Sequence, residues 1–298
     1  MQIKGYLYVT LAAVLWALIG PVSRFAFEVG MPPLEVAFWR SCLAWVLFAA
    51  QARSMGQMRV ARADLPAVLA FGVAGIAGLF GSYALAVRAG GAALASVLLY
   101  TAPAWVAVMS RLWLGEKLGS TKVAAVALTI IGVAGISLGP DWSGGQGFSA
   151  AAIFFGLLSG ITYALYYIFG KRYLGRYSTP TLFLYALPVG ALVMTPFFSF
   201  GTHPLQAWIA VAILAFVCTY LAYSIYYAGL KHLEATRASV VATLEPLVAS
   251  LLAFFLWNET FTPLGYIGAT LILLAVLLTV VEGARRRRIS AVPSRAGA

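Results

Sequence analysis

Residues 83–103, YALAVRAGGAALASVLLYTAP, and residues 226–246, YYAGLKHLEATRASVVATLEP, are two versions of one segment set 143 residues apart. Tyr83 lies over Tyr226, Ala95-Ser96-Val97 over Ala238-Ser239-Val240, and Pro103 over Pro246. Farther on, Glu116 lies over Glu259. Toward the N-terminus the offset becomes 147, with LWALIG (15–20) over TYALYY (162–167) and Pro33 over Pro180. The chain is a doubled unit. Whether its copies run parallel or inverted depends on how often each crosses a membrane.

Composition settles the solvent. Hydrophobic residues make up 62% of the 298, charged residues 10%, and mean hydropathy is +0.91. Soluble domains carry about 25% charge, so this chain cannot build a water-facing surface. Apolar windows of about 20 residues mark membrane-spanning helices. Ten occur, at roughly 5–27, 33–51, 64–88, 91–113, 120–139, 148–171, 179–200, 206–230, 235–257 and 263–282. MPP (31–33), DWSGGQG (141–147), STP (178–180), THP (202–204) and NETFTP (258–263) punctuate the gaps. The dyad alternation of a β-barrel is absent. Ten spans over two copies is five each, and five is odd. The second copy must enter from the other face. The expected fold is an all-α membrane protein: ten transmembrane helices as two inverted five-helix repeats, 1–139 and 148–282, around a central cavity. Such repeats belong to alternating-access transporters, with the site near the midplane.

Lysines and arginines orient the chain. With the N-terminus cytoplasmic, fourteen fall inside: Lys4, Arg53, Arg59, Arg62, Lys117, Lys122, Lys171, Arg172, Arg176, Arg285 to Arg288, and Arg295. The opposite loops are expected to hold Arg88, Lys231 and Arg237. Both termini are then cytoplasmic, and residues 283–298 form a basic tail on anionic lipid. This distribution explains the net charge of +11 without nucleic acid. Lys4 precedes a first helix rather than a cleaved signal. Cys42 and Cys218 sit in apolar runs, suited to neither a disulfide nor a metal site. His203 and His232 are both expected in outer loops. No G-x-x-x-x-G-K-[ST], H-E-x-x-H or G-x-S-x-G occurs. Neither an ATP motor nor an enzyme is expected, and no cofactor or metal.

The doubled unit carries a tryptophan in span one, FWR (38–40) in span two, ASV leading to proline in spans four and nine, and the closing LGE (114–116) and WNE (257–259). This ordered set resembles the paired EamA domains of the drug/metabolite transporter superfamily, over residues 5 to 282. Within it, the chain is similar to YddG-type amino-acid exporters. The resemblance implies a cavity lined by spans one, three, four, six, eight and nine, with spans five and ten at the periphery. It also implies a cargo of small organic metabolites.

Ionisable residues inside spans are few. Glu245 stands ten residues into span nine, about 15 Å deep by helical rise, near the middle of a roughly 30 Å core. A charge there costs about 3 kcal/mol even on lenient scales, and Pro246 frees a backbone carbonyl beside it. Its counterpart in the first copy is Ala102; the prolines are symmetric and the acid is not. Two readings stand: a functional group facing the cavity, or a hydrogen bond to a neighbouring helix. Arg40, about 10 Å below the outer boundary, can snorkel outward, pair with Glu35, or face the cavity to meet a carboxylate. Arg24 and Arg111 read as interfacial.

Aromatic residues are the larger signal. Ser159, Tyr163 and Tyr166 share one helical face, as do Tyr220, Tyr223 and Tyr227; Tyr173 and Tyr177 belong to an interface belt. Trp16, Tyr83, Tyr100, Trp105, Tyr163 and Tyr223 would form apolar walls with hydroxyl tips, unless part of the set simply packs between helices. Gly72, Gly75, Gly78 and Gly81 in span three, and Gly132, Gly135 and Gly139 in span five, suit close helix approach. Glu116 and Glu259 suit the orientation of a helix N-terminus.

One acid, one base and many tyrosines suit a small zwitterion, so the expected function is export of amino acids or similar metabolites across the bacterial inner membrane. Sugar-nucleotide or phosphate cargo would call for several cations in the spans. The alternatives are export of other organic solutes or drugs, and a membrane scaffold or receptor without transport.

Overall fold

The computed structural model describes residues 2–137, 149–257 and 262–291; Gly139, the 141–147 loop, Glu259 and the end of the tail lie outside them. Among the described residues there is no strand. Ten helices are long and apolar enough to cross a membrane: Gln2–Glu28, Pro33–Ser54, Leu65–Ala92, Leu94–Trp113, Ser120–Ser137, Ala150–Tyr173, Thr179–Phe197, Leu205–Leu230, Ala235–Leu256 and Pro263–Arg285. They are spans one to ten.

Side-chain contacts reveal the inversion. Spans two and seven are equivalent, yet Phe38 meets Phe198 at 5.5 Å while Phe48 stacks on Phe183 at 5.0 Å. Between them the Trp45 Nε1 donates to the Leu184 carbonyl at 3.0 Å. Residue numbers climb on one helix as they fall on the other. The same holds for spans five and ten, where Gly132 faces Ile272 and Gly135 faces Leu264. Equivalent helices thus run antiparallel. The repeats also interlock: span one packs on spans eight and nine, and span six on spans three and four.

Proline sets where the spans break. Its ring clashes with the carbonyl four residues earlier. Helical segments end at Ala17, Leu99 and Ala242, four residues before Pro21, Pro103 and Pro246. Spans one, four and nine are therefore two-piece helices. Spans three and eight each contain a π-helical stretch instead, Gly72–Ala77 and Phe216–Leu221. Between spans three and four the chain reverses at Gly91, whose φ of 81° favours glycine.

Close helix approach is found at Gly132 and Gly135 in span five and at Gly72 in span three, but not at Gly81. A Cβ on Gly132 would lie 2.7 Å from the Gly268 carbonyl, and one on Gly268 would run into the Gly132 carbonyl. Nothing stands within 4 Å of the Cβ position at Gly81. Gly268→Leu is expected to lower the thermal midpoint of the detergent-purified protein by several degrees or to abolish its accumulation. Gly81→Ala is expected to leave it unchanged or raise it, since helical alanine is favoured over glycine by about 0.5–1 kcal/mol. A Gly268→Leu protein melting like wild type would show that the seam is loose.

Three expectations about the ends are corrected. The 230–235 turn follows the eighth crossing and so lies on the N-terminal side, which places Lys231, Arg237 and His232 there rather than opposite. His232 lies beside Gly5. Arg237 pairs with Glu234 at 2.7 Å, and Lys122 reaches the same carboxylate at 3.0 Å. Glu116 does orient a helix N-terminus, but that of span nine in the other repeat: it accepts from Ala235 N at 2.6 Å and from the Thr236 hydroxyl at 2.9 Å. Finally, Tyr173 and Tyr177 are not free belt residues. Tyr173 is buried beside Phe169, and the Tyr177 hydroxyl donates to Asp64 at 2.7 Å. That bond, with the Arg176 pair beside it, holds the Asp64 carboxyl below the ordinary carboxylate range. The clasp is therefore complete near neutral pH and is lost as pH falls through the lowered value.

Candidate functional site

Glu245 is the second residue of the helix Leu244–Trp257, just past the break in span nine. The break turns it toward span six, where the Tyr163 hydroxyl donates to its Oε2 at 3.3 Å. Tyr100, at the matching break in span four, lies edge-on to Tyr163 with ring centroids 6.5 Å apart and is close enough to interact with the carboxylate. Tyr167 stands one turn along span six, 5.5 Å from Tyr163. Among the described residues no lysine or arginine comes within ion-pair distance of Glu245. Among the described residues, phenols hold the acid.

Arg40 is the opposite pole. It is 5% exposed, so it does not snorkel to the interface. Nor does it pair with Glu35, whose carboxylate is engaged by His203 Nε2 at 2.9 Å and by the Gly201 amide at 3.3 Å. Instead its Nε donates to Thr219 Oγ1 at 2.6 Å, and its guanidinium lies 5.3 Å from the Phe80 ring centre. Among the described residues it has no carboxylate partner, although it is within electrostatic reach of Glu245. Burying an unpaired charge is costly, and a fold needing only a filler there would not use arginine.

Aromatic rings join the two poles. From Tyr163 the path runs to Tyr166 at 6.3 Å, then to Tyr223, stacked on Tyr166 at 5.5 Å. Tyr223 meets Trp16 at 5.5 Å, and Trp16 packs on Tyr226 at 5.0 Å. Of the residues singled out from sequence, Glu245, Tyr100 and Tyr163 form one group, and Tyr223 and Trp16 the other, with Arg40 close enough to interact with Tyr223. Tyr83 lies at the edge of the first, its hydroxyl 3.2 Å from Ser96 Oγ and close enough to interact with Tyr100. Trp105 binds within its own span, donating from Nε1 to Thr101 Oγ1 at 3.2 Å.

Tyr220 packs on Phe48 and Phe216, and Phe48 in turn stacks on Phe183, which also meets Tyr223 and Tyr227. Thr219 and Tyr167 were not singled out, Tyr166 entered only as part of a shared helical face, and Ser96 only as part of the repeat. Tyr166 and Tyr167 stood in view within the YALYY run. Thr219 had only its hydroxyl beside Tyr220 to mark it.

The arrangement offers one negative and one positive group across a wall of phenols, within a core shared by both repeats. Residues 3–138 and 150–281 each match the EamA-like transporter family. An uncharacterized transporter of Archaeoglobus fulgidus is 30% identical, aligned over 92% of this chain and 95% of its own. A probable amino-acid metabolite efflux pump of Escherichia coli is 27% identical over 99% and 100% of the two chains. A probable terminal-alkyne amino-acid exporter of Streptantibioticus cattleyicolor is 24% identical over 98% of each. A crystal structure sharing 19% identity superposes with a TM-score of 0.81 over 94% of this chain and 98% of its own. At that identity the likeness concerns the fold.

Proposed function

The chain belongs to the EamA-like transporter family, and from that premise we propose that it exports small zwitterionic metabolites, amino acids foremost, across the bacterial inner membrane. The substrate sits between the repeats at midplane depth. Arg40 takes its carboxylate, Glu245 its ammonium, and Trp16, Tyr83, Tyr100, Trp105, Tyr163 and Tyr223 form the wall along which it moves.

One observation carries this reading: among the described residues, a buried arginine with no acid in ion-pair distance lies at the same tyrosine wall as an acid with no cation in ion-pair distance. Each group lacks the counter-charge that would make it a purely structural ion pair. A molecule bearing both charges supplies both partners at once and repays the cost of keeping them in the membrane. The family supports movement of a solute, and the amino-acid exporters among the relatives support this class of solute. Residues 1–139 and 148–282 act as the two inverted units whose relative motion exposes the site to one side and then the other.

The orientation follows from charge. With Lys231 and Arg237 on the N-terminal side, Arg88 is left to the opposite loops, and the positive-inside bias is stronger than the sequence expectation. Both termini, and the 283–298 tail, are then cytoplasmic. A reporter active only in the cytoplasm is expected to work when fused after Arg176 or Arg288 and to fail in the 141–147 loop. The reverse pattern would overturn the assignment of sides.

Function itself is tested in proteoliposomes. Labelled amino acids are expected to enter saturably, with an initial rate that responds to an imposed pH gradient if export is proton-coupled. Vesicles no more permeable than protein-free liposomes to every standard amino acid would end this reading.

A further inference from the structure

The bond that holds Arg40 has an unusual donor and acceptor arrangement. Thr219 is 2% exposed. Its hydroxyl donates to the Leu214 carbonyl at 2.8 Å, five residues back, and accepts from Arg40 Nε at 2.6 Å. With the proton committed to Leu214, the oxygen can present only a lone pair to the arginine. The reach from residue 219 to 214 is that of a π turn, and Thr219 lies inside the π-helical stretch Phe216–Leu221. Such stretches cluster at functional sites.

The internal repeat supplies a comparison within the same molecule. The position equivalent to Thr219, 143 residues earlier, is Ile76, and the position equivalent to Arg40, 147 residues later, is Leu187. The first repeat also has its π stretch, Gly72–Ala77, with no polar side chain in it. Both members of the pair are thus apolar in the other copy. The wide turn itself serves the fold; the hydroxyl is an addition found only where an arginine must be held.

We infer that Thr219 is a positioning residue for the substrate carboxylate, acting through Arg40; this rests on the reading of Arg40 given above. Holding the guanidinium by Nε with a neutral acceptor fixes its plane without neutralising its charge. A carboxylate in place of Thr219 would compete with the substrate. Nη1 and Nη2 form the fork that binds a carboxylate bidentately, and the Tyr223 hydroxyl lies close enough to interact with the guanidinium beside it. Phe80 covers the fork from one side, which narrows the approach left to the substrate.

The test compares Thr219→Val, Thr219→Ser and Arg40→Gln in proteoliposomes. Two substrates are used: the best-transported standard amino acid and its carboxamide, which lacks the carboxylate. Valine keeps the shape and removes the hydroxyl. Thr219→Val is expected to raise KM for the amino acid roughly tenfold, the loss expected for a hydrogen bond to a charged group, with the maximal rate and the carboxamide little changed. Thr219→Ser restores the wild-type KM. If Thr219→Val does not purify as a single species, Thr219→Ala is read for the same split. Wild-type KM in the valine variant, or equal losses on acid and carboxamide in both valine and serine variants, would overturn the inference. Arg40→Gln separates the two claims. If it transports the acid normally, the carboxylate reading of Arg40 has failed. If it is impaired while Thr219→Val is normal, only the role of Thr219 has.

Discussion

Arg40→Gln is expected to lower amino-acid transport by roughly ten- to a hundredfold, the loss of about 1.5–3 kcal/mol that accompanies removal of a charged hydrogen-bond partner. The protein should nonetheless fold. The guanidinium is buried with Thr219 as a hydrogen-bond partner and, among the described residues, no carboxylate within ion-pair distance, so its charge burdens the fold rather than supporting it. The thermal midpoint of the ligand-free variant is therefore expected to hold or rise while transport falls. This opposition of stability and activity is what distinguishes a substrate group from a packing group. A variant that loses both together would show that Arg40 braces spans two and eight.

Glu245→Gln is expected to have the second largest effect. Glutamine keeps the size of the side chain, and its carbonyl oxygen still accepts from the Tyr163 hydroxyl, so the contact at 3.3 Å survives. What disappears is the charge and the exchangeable proton. Uptake of amino acids is expected to weaken by roughly tenfold or more, while analogues without the ammonium are spared. If the same carboxyl carries a coupling proton, the response to a pH gradient also vanishes and passive exchange continues. Wild-type transport of every substrate at every pH would reduce Glu245 to a residue that ties span nine to span six.

Both effects depend on different parts of the molecule being brought together, and sequence reading reached them unequally. The number of spans, the repeat and its inversion were legible because they rest on long apolar windows and on parity. The break in span nine was legible too, since the Pro246 ring clashes with the carbonyl four residues earlier; the same clash acts at Pro21 and Pro103, where no break was read from sequence. Glu245 stood out because no other acid lies in span nine. By contrast, sequence proximity suggested Glu35 as the mate of Arg40, five residues away, when the partner lies 179 residues along the chain. Helical periodicity exposes neighbours within a turn or two; it is blind to the face that another span presents.

The two π stretches were invisible for a related reason. GVAGIA and FVCTYL share no residue signature, and the wider turn is set by how spans three and eight pack in the bundle. With the π turn unread, Thr219 went unremarked. Glu116 shows the limit from another side: the kind of role was legible, an acid at a helix N-terminus, but not that the helix belonged to the opposite repeat, 119 residues away.

The central claim is that one molecule must satisfy Arg40 and Glu245 together. It is tested most directly by competition for uptake of a labelled amino acid into proteoliposomes of the wild-type protein. Three unlabelled competitors are compared: the intact amino acid, its carboxamide, and the acid lacking the amino group. Each half-analogue fills one pole and leaves the other charge unpaired, so both are expected to compete at least roughly tenfold more weakly than the intact zwitterion. Half-analogues that compete as well as the amino acid would contradict the account, because the two poles would then not be read at once.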